Sequence, residues 1–133
     1  MPLDALRAEI ARRRAAGARR IGLIGFSAGG HLAGLAALAP GAAPDETAQF
    51  AVLGYAITSM ETETYRPARL ILLGEDASPQ RRRSTSLDAL VRPASPPFLV
   101  WHAWIHEQAA RPERFSETKT RGERWRVRRH WRR

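Results

Sequence analysis

The sequence lacks cysteine and long apolar runs. None of the 133 residues is cysteine, which excludes disulfide scaffolds, cysteine-ligated zinc, iron–sulfur clusters and thiol nucleophiles. No run of about eighteen apolar residues occurs, so we predict no membrane span, and the first residues do not resemble a secretory signal. The four histidines have no metal-ligand spacing, and the G-x-G-x-x-G pattern of dinucleotide sites is missing. The sequence therefore indicates neither a metal nor a cofactor.

Acidic residues are also scarce, and the charge is unevenly distributed. Residues 1–103 hold twelve basic and nine acidic side chains, whereas residues 104–133 hold ten basic and four acidic ones, with three of the four tryptophans and no aspartate. The apolar fraction of 44% is enough to build a core. This composition predicts a folded domain over residues 1–103 and a basic, Arg/Trp-rich tail over residues 104–133.

The domain part alternates between apolar strand patterns and helical patterns. Asp4 is a candidate N-cap of the first helix, and Gly17 is a candidate residue at its C-terminal end. The stretch 58–82 is predicted to be mostly loop. Strands are predicted over 21–25, 50–57 and 98–102, and helices between Asp4 and Gly17 and over 28–38, 68–73 and 86–91. Continuous apolar strands separated by helices predict an α/β fold with a parallel sheet.

One motif in the sequence carries chemistry. Gly25-Phe26-Ser27-Ala28-Gly29 is a G-x-S-x-G sequence that directly follows an apolar strand and directly opens a helix. This is the context of a nucleophile elbow, in which a strained turn projects a serine hydroxyl above the sheet. Gly25 and Gly29 are expected to let strand and helix approach closely. The backbone N–H of Ala28 is expected to face a developing oxyanion. A plain glycine-rich turn is the alternative interpretation.

The segment GFSAGGHLAGLA, which begins at Gly25, resembles the elbow of α/β-hydrolases of the esterase/lipase superfamily, in particular acetyl-xylan-esterase-like proteins. Supporting segments are AVLGYAI at 51–57, LLGED at 72–76 and PASPPFLVWHA at 93–103. The resemblance implies a three-layer α/β-hydrolase fold and hydrolysis of acetyl or short acyl esters, including carbohydrate-linked ones. It implies Ser27 as nucleophile, Ala28 as an oxyanion-hole donor and a structural role for His31.

The sequence departs from this family on both sides of the matched part. The triad order in this fold is Ser, Asp or Glu, then His, but Trp104 and its neighbours stand where the family has its acid. His106 is one of those neighbours, and Glu107 is the nearest carboxylate. His102 matches a strand-end histidine of the family that is not the base, and the surroundings of His130, the late histidine, do not match those of the family's base. The first strands and the last strand of the fold are also not found. We therefore expect a partial copy, and a truncated or frame-shifted, inactive remnant is an alternative to an active esterase.

A second alternative comes from the basic tail. Its arginines alternate with Trp125 and Trp131, a composition that can contact phosphates and stack on bases. No recognition motif accompanies these residues. The sequence thus favours a small-molecule ester as partner over nucleic acid, and it gives no indication of a cellular location.

Overall fold

The computed structural model describes residues 1–61 and 66–101. Strands and helices alternate along this part of the chain, and a short 3₁₀ helix over Pro44–Glu46 precedes the second strand. The elements in chain order are α1 (Pro2–Ala15), β1 (Gly22–Phe26), α2 (Ala28–Leu38), β2 (Phe50–Gly54), α3 (Arg66–Leu73), α4 (Pro79–Ser84), α5 (Leu87–Leu90) and β3 (Phe98–Trp101). No helix within these two ranges is both long and apolar enough to cross a membrane.

The three strands form one parallel sheet in the order β1-β2-β3. Phe26, the last residue of β1, pairs with Gly54, the last residue of β2, and Gly54 pairs with Trp101, the last residue of β3. All three strands therefore end in register at the same edge of the sheet. This arrangement confirms the α/β class with a parallel sheet that the sequence predicts.

Helix α2 covers one face of this sheet and packs against α5 at Gly34. Gly34 is so close to the Leu87 side chain of α5 that a Cβ on Gly34 would lie 2.4 Å from Cδ1 of that leucine. The main core lies between the helices and this face, and its buried members are Ala33, Leu38, Ala51, Leu53, Ala56, Leu87 and Phe98. A smaller cluster of Met60, Leu73 and Ala77 lies under the connection from β2 to α4.

The opposite face of the sheet is apolar and uncovered in the described part of the chain. Ile24 is 68% exposed and Leu99 45% exposed. Aromatic rings cover the glycines on this face, since a Cβ on Gly54 would collide with the Phe26 ring. Parallel sheets are normally covered on both faces. The described residues thus build two of the three layers expected for the fold.

Helix α1 is anchored to the far end of α2 by a buried arginine. The Arg7 guanidinium donates hydrogen bonds to the carbonyl oxygens of Ala39, at 2.7 Å, and Pro40, at 3.2 Å. A helix C-terminus leaves carbonyls without partners and carries partial negative charge, so a buried cation is well placed there. Arg7 is only 8% exposed, and its position connects α1 to the element that carries the motif.

The structure differs from the sequence prediction most clearly at three elements. The first helix begins after Met1 as N-cap, not at Asp4, because Pro2 suits the first turn of a helix; the expected end holds, since Gly17 follows the C-cap with a φ of 95°. Strand β2 ends at Gly54 and not at residue 57. Helix α4 lies in a stretch predicted as loop. The boundary predicted at residue 103 and the tail 104–133 lie outside the described residues.

Candidate active site

The candidate site lies where the strands end. Since Phe26, Gly54 and Trp101 are in register, the residue that follows each of the first two strands, Ser27 or Tyr55, lies at the same edge of the sheet. In open α/β sheets, ligands bind in the crevice outside the carboxyl ends of the strands. The motif serine is therefore at the edge where an α/β protein normally binds its ligand.

Ser27 has the backbone of a strained turn. Its φ is 51° and its ψ is −122°, a combination that residues other than glycine rarely adopt and that costs about 1–3 kcal/mol. Two hydrogen bonds hold it there: the Ser27 N–H donates to the Gly54 carbonyl at 2.9 Å, and the Ser27 carbonyl accepts from the His31 N–H at 3.1 Å. Ser27 thus makes the last hydrogen bond between β1 and β2 through its N–H and accepts the first hydrogen bond of α2 through its carbonyl.

The turn is possible because strand and helix backbones come very close at two glycines. A Cβ added to Gly25 would lie 2.2 Å from the Gly29 carbonyl oxygen, and one added to Gly30 would lie 2.8 Å from the Ala56 Cβ. Gly29 itself faces open space. The close approach expected at Gly25 is therefore present. The second glycine that lets the helix approach the strand is Gly30 and not Gly29, and Gly29 takes part only through the backbone atoms that lie against Gly25.

The first turn of α2 is open to an anion. Serine at an N-cap commonly accepts a hydrogen bond from the helix through its hydroxyl, but within the described structure the Ser27 side chain makes no such bond. Because the first bond of the helix is donated by His31, the N–H groups of Ala28, Gly29 and Gly30 precede any intrahelical acceptor. No acidic residue lies in this turn, so the partial positive charge of the helix end is not neutralised there.

His31 lies one turn after the serine but does not contact its hydroxyl. Its ring is 5% exposed, and Nδ1 forms a 2.7 Å hydrogen bond with the Ile57 carbonyl. Burial lowers the pKa of His31, and the bond to Ile57 only partly opposes that effect. The ring is therefore neutral at neutral pH, with Nδ1 as donor and with Nε2 buried and without a hydrogen bond among the described residues. The geometry matches the structural role that the family resemblance implies.

The loop after β2 is held by a serine that the sequence analysis did not identify. Ser86 is fully buried, and its Oγ accepts from the Met60 N–H at 2.7 Å while donating to the Arg82 carbonyl at 2.8 Å. A second bond, from the Asp88 N–H to the Thr58 carbonyl at 3.1 Å, ties α5 to the same loop. A serine before a short helical pattern is the only signal in the sequence, and it predicts a cap and not this network.

Two aromatic side chains at the site edge were also not identified from the sequence. Tyr55 follows β2 with a φ of 53°, and its N–H donates to the Trp101 carbonyl at 2.9 Å. The Tyr55 and Trp101 rings lie 4.7 Å apart between centroids, with their planes 57° apart. The only available signal was that each aromatic residue lies within an apolar strand pattern, and neither pattern ends at it.

The remaining groups considered for catalysis lie outside the described residues. These are Glu107 and three histidines, His102, His106 and His130. Across 1–61 and 66–101, no three His, Asp or Glu side chains lie close enough together to hold a metal ion. What this part of the chain brings together is a strained serine and a helix N-terminus, with an aromatic pair at the ends of the two neighbouring strands.

Comparison with known proteins supports the architecture. No protein-family model matches the chain, and no curated protein sequence does. The solved structure of an acetyl ester-xyloside bifunctional hydrolase from Caldicellulosiruptor lactoaceticus is similar, with a TM-score of 0.65 and 28% identity over 75% of this chain and 43% of that one. Esterase 2 of Thermogutta terrifontis is similar with a TM-score of 0.54 and 25% identity over 74% of this chain and 39% of that one. The butyrate-bound form of that esterase gives a TM-score of 0.53 and 20% identity over 74% and 41%. The chain thus spans about two fifths of the length of these esterases.

Proposed function

We propose that this chain, which has the α/β-hydrolase fold of its esterase neighbours over its described residues, acts as an ester hydrolase with Ser27 as nucleophile. The observation that carries the proposal is the backbone of Ser27, whose φ of 51° and ψ of −122° present its hydroxyl at the carboxyl edge of the sheet. Plain strand-to-helix turns do not require a non-glycine residue in this strained conformation. The strain is explained when the hydroxyl has to reach a substrate.

The described residues support the first step of such a reaction. The Ser27 Oγ would attack the ester carbonyl carbon, so that the carbonyl oxygen becomes an oxyanion, and the Ala28 N–H at the start of α2 would donate a hydrogen bond to that oxygen. A serine hydroxyl is a weak nucleophile unless an adjacent base accepts its proton. The unprotonated Nε2 of His31 is buried and makes no hydrogen bond with the Ser27 hydroxyl, so we assign the base to residues outside the described ones.

The substrate class that we propose is an acetyl or short acyl ester, with carbohydrate as one class of alcohol. The support is the similarity to the acetyl ester-xyloside hydrolase, the one neighbour named here that is more than 25% identical to this chain. The first turn of α2 has no acidic side chain and keeps its partial positive charge, which suits an ester whose carbonyl oxygen becomes negative during the reaction.

Hydrolysis of 4-nitrophenyl acetate by the full chain tests the proposal. We expect release of 4-nitrophenol that falls by at least about a hundredfold in Ser27→Ala, because removing the nucleophile leaves only the oxyanion hole and binding. Ser84→Ala, which removes an exposed serine of α4, is the matched control and should hydrolyse at the wild-type rate. Equal rates in Ser27→Ala and the wild type, or no hydrolysis at all, would support the inactive remnant instead.

A further inference from the structure

We infer that the basic tail, residues 104–133, packs against the open face of the sheet and supplies the third layer of the fold. The open face is the side of the sheet that carries Ile24, Phe26, Phe50, Leu99 and Trp101. This packing is independent of the proposed function, because it concerns how the domain is completed and not the chemistry at Ser27.

The open face is apolar in every row of the sheet. In one row Ile24 and Leu99 flank Val52, and the next row holds Phe26 and Trp101. No charged or polar side chain stands in these rows. The five large side chains that define the face are between 45% and 68% exposed. A contiguous apolar surface of this kind marks a place where another element binds.

The connections between the strands lie on the other side of the sheet. Helix α2 joins β1 to β2 and packs on both, and α5, in the connection from β2 to β3, packs on α2. Right-handed crossovers between parallel strands in the order β1-β2-β3 place both connections on one side. Helix α1 precedes β1 but is bonded through Arg7 to the end of α2. The open face is therefore accessible to residues that follow β3, which no crossover holds on the α2 side.

The tail follows the chain directly from the open face. Trp101 is the last residue of β3 and belongs to that face, and residues 102–133 come after it. Three strands about 4.8 Å apart make a face roughly 10 Å wide. Even a fully helical chain advances about 1.5 Å per residue, so the tail is several times longer than the crossing requires.

The composition of the tail suits a segment with an apolar side and a charged side. Its apolar side chains include Trp104, Trp125 and Trp131, and they are interspersed with ten basic residues. Indole rings bury large apolar areas. The open face offers no carboxylate to the arginines, and burial of an unpaired charge is costly, so the arginines face water. In this arrangement the tryptophans are covered and do not stack on nucleic acid bases.

Attachment favours the tail over a second copy of the chain as the occupant. A segment joined to its binding surface by a short linker acts at an effective concentration of about millimolar. A second copy in a solution of about micromolar protein is at a disadvantage of roughly a thousandfold in concentration. Self-association through the open face is therefore the competing outcome that the experiment has to detect.

A spin label tests the contact without changing the open face. Because the chain has no cysteine, Arg20→Cys carries a single nitroxide on an exposed residue just before β1. Ala8→Cys, on an exposed residue of α1, is the matched control, since α1 packs on α2 at the other side of the sheet. In NMR spectra of the full chain, we expect the Arg20→Cys label to broaden the indole N–H signals of the tail more strongly than the Ala8→Cys label does. Equal broadening by both labels, or none, overturns the inference.

A mixed sample separates the tail from a second copy. Spin-labelled Arg20→Cys protein without isotope enrichment is added to isotope-enriched protein without a spin label. Broadening that occurs when label and isotope are in one chain, and is missing from the mixture, supports packing of the tail on its own sheet. Equal broadening in the mixture assigns the open face to a second copy and overturns the inference.

A pair of substitutions then ties the contact to the open face. Ile24→Asp places a charge in the middle of the face, and Ile71→Asp makes the same change at an isoleucine of α3 that is 88% exposed. Burial of one isoleucine side chain is large enough that we expect Ile24→Asp to speed tryptic cleavage within the tail at least about tenfold, with no change in Ile71→Asp. Ile24→Thr keeps a β-branched residue in the strand and should give a smaller increase. If all three variants are cleaved in the tail at the wild-type rate, the tail does not cover this face.

Discussion

Replacing single glycines of the G-x-S-x-G motif with alanine tests whether these glycines are needed for the close packing of β1 against α2. In Gly25→Ala the new Cβ would lie 2.2 Å from the Gly29 carbonyl oxygen, 2.4 Å from its carbon and 2.7 Å from the Gly30 nitrogen, all of them backbone atoms. Ordinary contacts begin at 3.4 Å, so α2 would have to move by about 1 Å. Overpacking of this kind costs about 1–3 kcal/mol, and we expect the upper end because no flexible side chain can yield.

Gly29→Ala is the matched control. Nothing lies within 4 Å of a Cβ at this position, and alanine favours a helix over glycine by about 0.5–1 kcal/mol. We therefore expect Gly29→Ala to be as stable as the wild type or slightly more stable. The free energies of unfolding of Gly25→Ala and Gly29→Ala should then differ by about 3 kcal/mol or more.

Urea unfolding of each full-length variant, followed by far-UV circular dichroism, measures this difference. The midpoint should fall for Gly25→Ala and stay or rise for Gly29→Ala, with similar m-values. If the two variants unfold at the same urea concentration, the strand and helix do not approach as described, and the explanation of the elbow by two close backbones is refuted.

Other predictions concern groups that support the site. Burial lowers the pKa of His31 below its ordinary value of 6.5, so as the pH falls the unfolded chain binds a proton before the folded protein does. The contribution of neutral His31 to the free energy of unfolding should therefore be complete above pH 6.5 and decline below it. The urea midpoint should be lower at pH 5.5 than at pH 7.5, and this difference should be lost in His31→Gln. Arg7→Met should lower the free energy of unfolding by about 1–3 kcal/mol, since two carbonyls at the end of α2 lose their donor; thermal unfolding that matches the wild type would contradict this. Ser86→Ala should cost about as much, because its buried Oγ both donates and accepts, whereas the exposed Ser84→Ala should change the unfolding midpoint little.

Local rules predicted most of the elements, and they failed where a local signal competed with periodicity. Helix α2 begins and ends at the predicted residues. Its alanines and leucines favour a helix throughout, and Pro40-Gly41 cannot continue one. Helix α4 was missed because its sequence, PQRRRS, has no apolar period. Its signal was Ser78-Pro79, an N-cap followed by a proline suited to the first turn, and the Ser78 Oγ does accept from the Arg81 N–H.

The parts of the site that the sequence did not predict depend on orientation. Whether Gly29 or Gly30 faces the strand is decided by the rotation of α2 about its axis, and each residue turns the helix by about 100°. The early end of β2 depends on Tyr55 leaving the strand with positive φ, although its sequence pattern continues to residue 57. Both features arise from how the elements pack, which a pattern of residue types does not specify.

The shape of the turn at Ser27 and the chemistry that we propose for it have separate physical origins. The contacts that hold Ser27, namely its bonds to Gly54 and His31 and the close approach at Gly25 and Gly30, all join residues between 25 and 56. They would persist whether or not a base is present. Nucleophilic attack depends in addition on a proton acceptor for the Ser27 hydroxyl, which none of these contacts supplies. The turn is therefore evidence for the fold, and hydrolysis that disappears in Ser27→Ala would be evidence for the proposed reaction, so that neither result follows from the other.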